Sequence, residues 1–241
     1  MLIRTVTVRD HEIRYYTPNL LLFDIAEKVT VLEPDFLDWI DGIEPGAVLY
    51  DVGASNGPFT TYAAVKGIQV VAFEPEAQNY AVLEMNHFLN REKISRPIIS
   101  LNLALSDATG LGKMYCRNYV AGQHVKILDQ PFRRLERDTF APEHVQFVVR
   151  ETLDHVLDQL KLPFPDHLKI DTDGGELEIL EGGKKTLQDA RLKEVFIEIA
   201  HPDTDGKSIV DCLLRENFAL KSQQQVEHYE NLYNLIFARK P

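Results

Sequence analysis

The chain has 241 residues, 44% of them hydrophobic, enough to bury one large core without disulfide staples. Its 26 basic residues stand against 37 acidic ones, and the net charge of −11 makes a poor field for a phosphate backbone, which argues against a nucleic-acid partner. Cys116 and Cys212 lack metal-site spacing, the opening MLIRTVTVRDHEIRYY alternates instead of forming a signal core, and no apolar run approaches the ~18 residues of a membrane span, so a reducing cytosol and no membrane are expected.

In chain order, residues 2–8 and 12–16 read as a hairpin turning at Asp10-His11, and 34–41 as a helix with Pro34 in its first turn. Glu44-Pro45-Gly46 turns the chain into a strand at 47–52. A helix is predicted over about 57–66, a buried strand over 69–73, and a helix over about 76–89 whose Ala81, Met85, Phe88 and Leu89 share one face. A third strand falls near 98–103. Residues 106–145 then break the rhythm with turn residues, a short strand at 112–116, Pro131 and Pro142; this is an insertion, with a lid as its candidate role. Its basic run, Arg133 to Arg137, reads as a solvated helix face or loop. Strands at 145–150, 167–171 and 194–200 alternate with helices at 152–160, 176–187 and 208–216, and 218–222 pairs antiparallel with 232–238. Repeated strand–helix units imply an α/β fold: a Rossmann-like, mostly parallel sheet with an antiparallel C-terminal strand and helices on both faces. A small hairpin-and-helix extension at 1–44 precedes the main domain at 45–241.

The stretch DVGASNGPFT at 51–60 is a strand running into a glycine turn, where an open α/β sheet binds its ligand. It lacks the middle glycine of a dinucleotide fingerprint and begins with an acid. A carboxylate beside a pyrophosphate adds roughly 1–4 kcal/mol of repulsion at ~4 Å. S-adenosylmethionine has no phosphate, and its ammonium suits Asp51. Glu74 ends the second strand 23 positions later, near the spacing at which an acid reaches ribose hydroxyls. Ser106-Asp107 follows the third strand and is placed to accept from an adenine amino group. The bland alternatives are a helix cap for Asp51, an early-helix acid for Glu74 and a turn former for Asp107.

Together, DVGASNGPFT (51–60), FEPEAQNYAVLEMNHFLN (73–90), ALSDATG (104–110), ETLDHVL (151–157) and LKIDTDGGELEILEGGKKTL (168–187) resemble the FkbM family of class I S-adenosylmethionine-dependent methyltransferases. The resemblance implies a seven-stranded methyltransferase sheet and methyl transfer to a hydroxyl of a sugar, polyketide or other natural product. It places cofactor binding on Asp51, Gly53, Ala54, Asn56, Gly57, Glu74, Ser106 and Asp107. Thr172 and Asp173 depart from the family's usual Val and Glu.

Deprotonating a hydroxyl acceptor calls for a base. Asp171, ending the fourth strand, is the first candidate, with an ion pair to Lys169 as its bland reading. His201, following the fifth strand, is the second. Asp173 and Glu176 read as a capping-box-like pair at the next helix start, and no metal is expected. The expected partner is a small-molecule hydroxyl acceptor, and a homodimer is the assembly assumed. The competing functions are a non-catalytic cofactor-binding subunit and a nicotinamide-dependent oxidoreductase.

Overall fold

The computed structural model describes residues 2–241. An N-terminal hairpin, β1 (Ile3–Val8) and β2 (His11–Tyr16), leads into α1 (Leu20–Leu32) and α2 (Pro34–Asp41). Then follow β3 (Val48–Val52), α3 (Pro58–Val65), β4 (Gln69–Phe73), α4 (Ala77–Asn90) and β5 (Ile99–Leu101). The next segment holds β6 (Ala104–Leu105), β7 (Gly110–Cys116), β8 (Lys126–Leu128), β9 (Phe132–Arg133), β10 (Asp138–Thr139) and β11 (His144–Glu151). The chain closes with α5 (Leu153–Gln159), β12 (His167–Ile170), α6 (Glu176–Gly182), α7 (Lys184–Gln188), β13 (Glu194–Ala200), α8 (Lys207–Arg215), β14 (Phe218–Gln225) and β15 (Leu232–Arg239).

The main sheet has seven strands in the order β14-β15-β13-β12-β3-β4-β5. Strands β13, β12, β3, β4 and β5 are parallel, and β15 runs antiparallel between β13 and β14. Alternate residues of each strand feed two cores. On one face Leu49, Val70, Ala72 and Phe196 pack with α1, α2, α3 and the hairpin's Val8, Ile13 and Tyr15. On the other, Tyr50, Val52, Leu168, Ile170 and Ile197 pack with α5 to α8. The hairpin therefore shares the main core instead of building its own. α1 occupies a segment left unassigned in the sequence; Asn19 caps it, accepting from Leu22 N at 2.8 Å.

Three expectations are corrected. Ala81, Met85 and Phe88 do not face the core; α4 buries Asn79, Val82, Leu83, Asn86 and Asn90. The asparagines make this possible by bonding backbone: Asn90 accepts from Arg14 N at 2.9 Å and Asn86 from Tyr16 N at 2.7 Å, docking β2. The helix expected over 176–187 is two, broken at Gly182-Gly183, where a Cβ on Gly182 would lie 2.0 Å from the Ser106 carbonyl oxygen. The insertion is neither loop nor isolated strand: β7, β8 and β11 form an antiparallel sheet that β6 joins in parallel beside β11.

Candidate active site

The glycine turn sits where β3 meets β4. Gly53 N and Ala54 N donate to the Phe73 carbonyl at 3.0 and 3.1 Å, tying the turn to the neighbouring strand end. Gly53 has φ +79°, and a Cβ there would fall 1.8 Å from the Asp171 carbonyl oxygen. Gly57 (φ +73°) is equally confined, since a Cβ would fall 2.5 Å from Leu83. Asn56 is buried, and its carbonyl accepts from Asn86 Nδ2 at 2.8 Å. Ala54 is buried beside them.

Glu74, at the tip of β4, accepts from Ser55 N and from Glu76 N, each at 2.8 Å. Burial pushes its carboxyl up to about 7, against the pull of those two N–H groups and Lys126. Its early-helix reading fails, because the cap of α4 is Glu76, which accepts from Gln78 N and Asn79 N, both at 2.9 Å. Glu76 is fully buried and pairs with Lys126 Nζ of the insertion at 2.6 Å. Sequence reasoning missed that pair, which depends on folding the insertion back over α4.

Asp51 is 2% exposed. Thr60 Oγ1 donates to its Oδ2, while Oδ1 has no hydrogen-bond partner and lies 3.2 Å from Lys169 Nζ. Asp51 does not cap α3, whose N-cap is Gly57. Lys169 lies beside Asp51 in the register of β12 with β3. Its Nζ donates to the Gly53 carbonyl at 3.0 Å and reaches Asp171 Oδ2 at 3.2 Å. Burial works against this ammonium, but Asp171, Asp51 and Glu33 outweigh it and hold its pKa above the usual lysine value.

One step beyond the registered pair Ile170–Ile197 stand Asp171, just past the end of β12, and Glu198, two residues before the end of β13. Glu198 shares a sheet face with Phe196, and hence with Lys169 and Asp51. It is partly buried and makes no side-chain hydrogen bond among the described residues. Glu33, between α1 and α2, is also partly buried and likewise without a side-chain partner among them. Neither acid was singled out in the sequence. The signal for Glu198 was an acid interrupting the apolar strand EVFIEIA; Glu33 carried none.

Asp173 and Glu176 do not form the expected capping-box-like pair. Asp173 caps nothing: its Oδ2 accepts from Val125 N and Lys126 N at 2.8 and 3.0 Å, fastening the insertion. The N-cap of α6 is Gly175. Glu176 Oε1 instead accepts from Thr172 Oγ1 and Gly174 N at 2.9 and 3.0 Å, and burial pushes its carboxyl up to about 7. His201 (φ +50°) points Nε2 at the Leu135 carbonyl, 2.9 Å away; a carbonyl only accepts, so Nε2 carries the hydrogen. No hydrogen bond or ion pair joins His201 to Asp171 among the described residues. Ser106 and Asp107 follow β6 of the smaller sheet, not the third strand of the main one. Ser106 is buried and donates from Oγ to the exposed Asp107 at 3.0 Å. The basic run is a solvent-facing turn, as expected, between β9 and β10, with Arg134 on Glu178 at 3.0 Å and Arg137 on Asp205 at 2.7 Å. An open groove of about 540 Å³ lies elsewhere, lined by Trp39, His167 and Glu194 near the amino ends of β12 and β13. Among the described residues, no group of three or more His, Cys, Asp or Glu is placed to hold a metal ion. No described helix is long and apolar enough to cross a membrane.

A seven-stranded sheet with one reversed strand, a glycine turn after β3 and acids at neighbouring strand ends defines a class I methyltransferase. The FkbM methyltransferase domain matches residues 51–229, and the chain belongs to that family, whose methyl donor is S-adenosylmethionine. The hexuronic acid methyltransferase AglP of Haloferax volcanii is 24% identical over 174 residues, covering 72% of this chain, which spans 64% of that relative's length. Among solved structures, an FkbM methyltransferase of Methylobacillus flagellatus superposes with a TM-score of 0.55 at 13% identity, over 79% of this chain and 43% of that one. The magnesium protoporphyrin IX methyltransferase ChlM of Synechocystis, solved with bound S-adenosylmethionine, gives 0.54 at 12% identity, over 93% and 86%.

Proposed function

We propose that this protein transfers the methyl group of S-adenosylmethionine to a hydroxyl oxygen of a sugar or related small natural product. The observation that carries this reading is the clamp of Lys169 on Asp51, the Gly53 carbonyl and Asp171, which fixes the cofactor turn against the tip of β12. The residues fit the donor. The acids outnumber the buried ammonium groups of Lys169 and Lys126, so the crevice favours a cationic ligand, and Asp51 Oδ1 has only Lys169 Nζ beside it, at 3.2 Å. The close approach at Gly53 packs the turn directly against the Asp171 backbone.

In this reading Glu74 accepts from the ribose hydroxyls, using the lone pairs left free by Ser55 N and Glu76 N. Asp51 holds the ammonium of the amino-acid end, and Ser106 and Asp107 flank the adenine. The bound donor supplies an activated methyl on a cationic sulfur. The chain supplies position and charge, which carry most of the acceleration in such a displacement. Asp171, held by Lys169, orients the acceptor hydroxyl. The sugar class rests on the similarity to a hexuronic acid methyltransferase.

Calorimetry tests the donor assignment. Wild type is expected to bind S-adenosylmethionine with a micromolar Kd, with at least tenfold weaker binding in Asp51→Ala and Glu74→Ala, a change of about 1.4 kcal/mol. A folded wild type that binds neither S-adenosylmethionine nor S-adenosylhomocysteine refutes the reading.

A further inference from the structure

We infer that Glu198 is the proton-exchanging carboxyl of the transfer site, taking the proton of the acceptor hydroxyl. The inference rests on the proposed donor and deepens it by assigning the base.

The geometry favours Glu198 over both sequence candidates. Asp171 is committed to Lys169 at 3.2 Å. His201 is committed through Nε2 to the Leu135 carbonyl at 2.9 Å. Glu198 lies one register step beyond Ile197, among the last residues of β13 and beside the position of Asp171, on the face that carries Lys169 and Asp51, with no hydrogen bond to hold its carboxyl. A base must be free to accept; Glu198 has neither carboxyl oxygen engaged, whereas Asp171 has Oδ2 on Lys169 and His201 has Nε2 on a carbonyl.

Its surroundings set its protonation. Asp171 faces it from β12, Glu33 from the α1–α2 junction, Asp173 from the loop after β12 and Glu176 from α6. Burial first, and then these carboxylates, raise its pKa well above the usual glutamate value. Lys169 is the cation of this cluster, and it is divided between Asp51 and Asp171. The site thus favours the protonated form of Glu198 over its carboxylate while no cationic ligand is present. Arrival of a positively charged sulfur does the proton's electrostatic task, and Glu198 releases the proton to solvent.

The ionised carboxylate then receives the acceptor's proton as the O–CH₃ bond forms and the S–CH₃ bond breaks. The electron pair of the broken bond stays on sulfur, which becomes a neutral thioether. Glu198 ends protonated, its starting state. The net reaction releases one proton, and that proton departs at the binding step.

Proton release can be read without an acceptor, from binding enthalpies measured near neutral pH in two buffers of different ionisation enthalpy. Glu74 faces the ribose in both ligands and contributes equally to each, so the informative quantity is release on binding S-adenosylmethionine minus release on binding S-adenosylhomocysteine. Wild type is expected to show a difference of about half a proton or more. Glu198→Gln is expected to lower that difference at least threefold, while Glu198→Asp and His201→Gln retain it. A difference near zero in wild type, or one that survives in Glu198→Gln, or one lost in His201→Gln instead, overturns the assignment. Should Glu198→Gln fail to fold by thermal unfolding, wild type and His201→Gln still decide. Absence of binding by both ligands is a separate outcome: it removes the donor, and the assignment with it.

Discussion

The two ends of the crevice use acidic residues in opposite ways. At the turn end every acid is fixed: Glu74 by two backbone N–H groups, Glu76 by its cap bonds and Lys126, Asp51 by Thr60 and Lys169. At the transfer end Asp171 is fixed, but Glu198 and Glu33 carry carboxyls with no hydrogen-bond partner among the described residues. Fixed carboxylates present a preorganised field to a ligand whose shape does not change. Unfixed, partly buried ones exchange protons. The boundary between the two behaviours runs through Lys169.

Lys169→Met breaks that boundary and has the largest expected effect. Removing one partner of a buried pair leaves an uncompensated charge, a loss of about 3–5 kcal/mol. Here Asp51, 2% exposed, would keep only Thr60, and the Gly53 carbonyl would lose its donor. Urea unfolding should show that loss, and S-adenosylmethionine binding should weaken with it. A midpoint within experimental scatter of wild type would mean that the clamp holds nothing together.

Glu176→Gln sharpens the comparison by removing one buried proton site without removing its bonds. Oε1 alone accepts from Thr172 Oγ1 and Gly174 N, so an amide oxygen in its place keeps both. The native carboxyl, raised from 4.5 to about 7, holds its proton more tightly than the unfolded chain does. Stability tied to it is therefore full below pH 4.5 and is lost as pH rises to about 7. The variant should match wild type near pH 4 and exceed it at pH 8, by on the order of 1–3 kcal/mol. Glu74, raised in the same direction, leaves a residual slope in both proteins. A wild-type advantage at pH 8 would contradict the burial argument.

The parallel strands were legible because each is a short apolar run ending in an acid or a turn, as in VLYDV, VVAFE and HLKID. The turn end was legible for the same reason, since its residues lie on two consecutive strand tips. What could not be read depended on partners distant in sequence. Asn86 and Asn90 count as polar in any hydrophobic period, yet they are buried because β2 offers them backbone. Asp173 satisfied a local capping rule and was claimed instead by the N–H groups of Val125 and Lys126, nearly fifty positions away. The insertion's strands pair across long loops, and β6, β9 and β10 are two residues each, too short to show a period. Glu33 reaches the site only because α1 and α2 pack on the sheet face that carries Asp51.

The smallest expected effect tests whether the β9–β10 hairpin belongs to the fixed end or is a surface tie. Arg134 reaches Glu178 at 3.0 Å with both side chains about a third exposed (28% and 38%). Exposed pairs of this kind are worth about 0–1 kcal/mol and weaken with salt. The stem of Arg134 also lies over Gly174, whose notional Cβ would be 3.4–3.5 Å from it, so some packing accompanies the charge. Arg134→Ala should thus cost about 1 kcal/mol or less, and part of that difference should vanish at ~1 M salt, where the screening length is near 3 Å. Arg137, on Asp205 and Thr204, would still hold the hairpin beside the loop that carries His201. A cost above about 3 kcal/mol would instead place Arg134 with Lys126 and Lys169, as a cation on which the crevice itself depends.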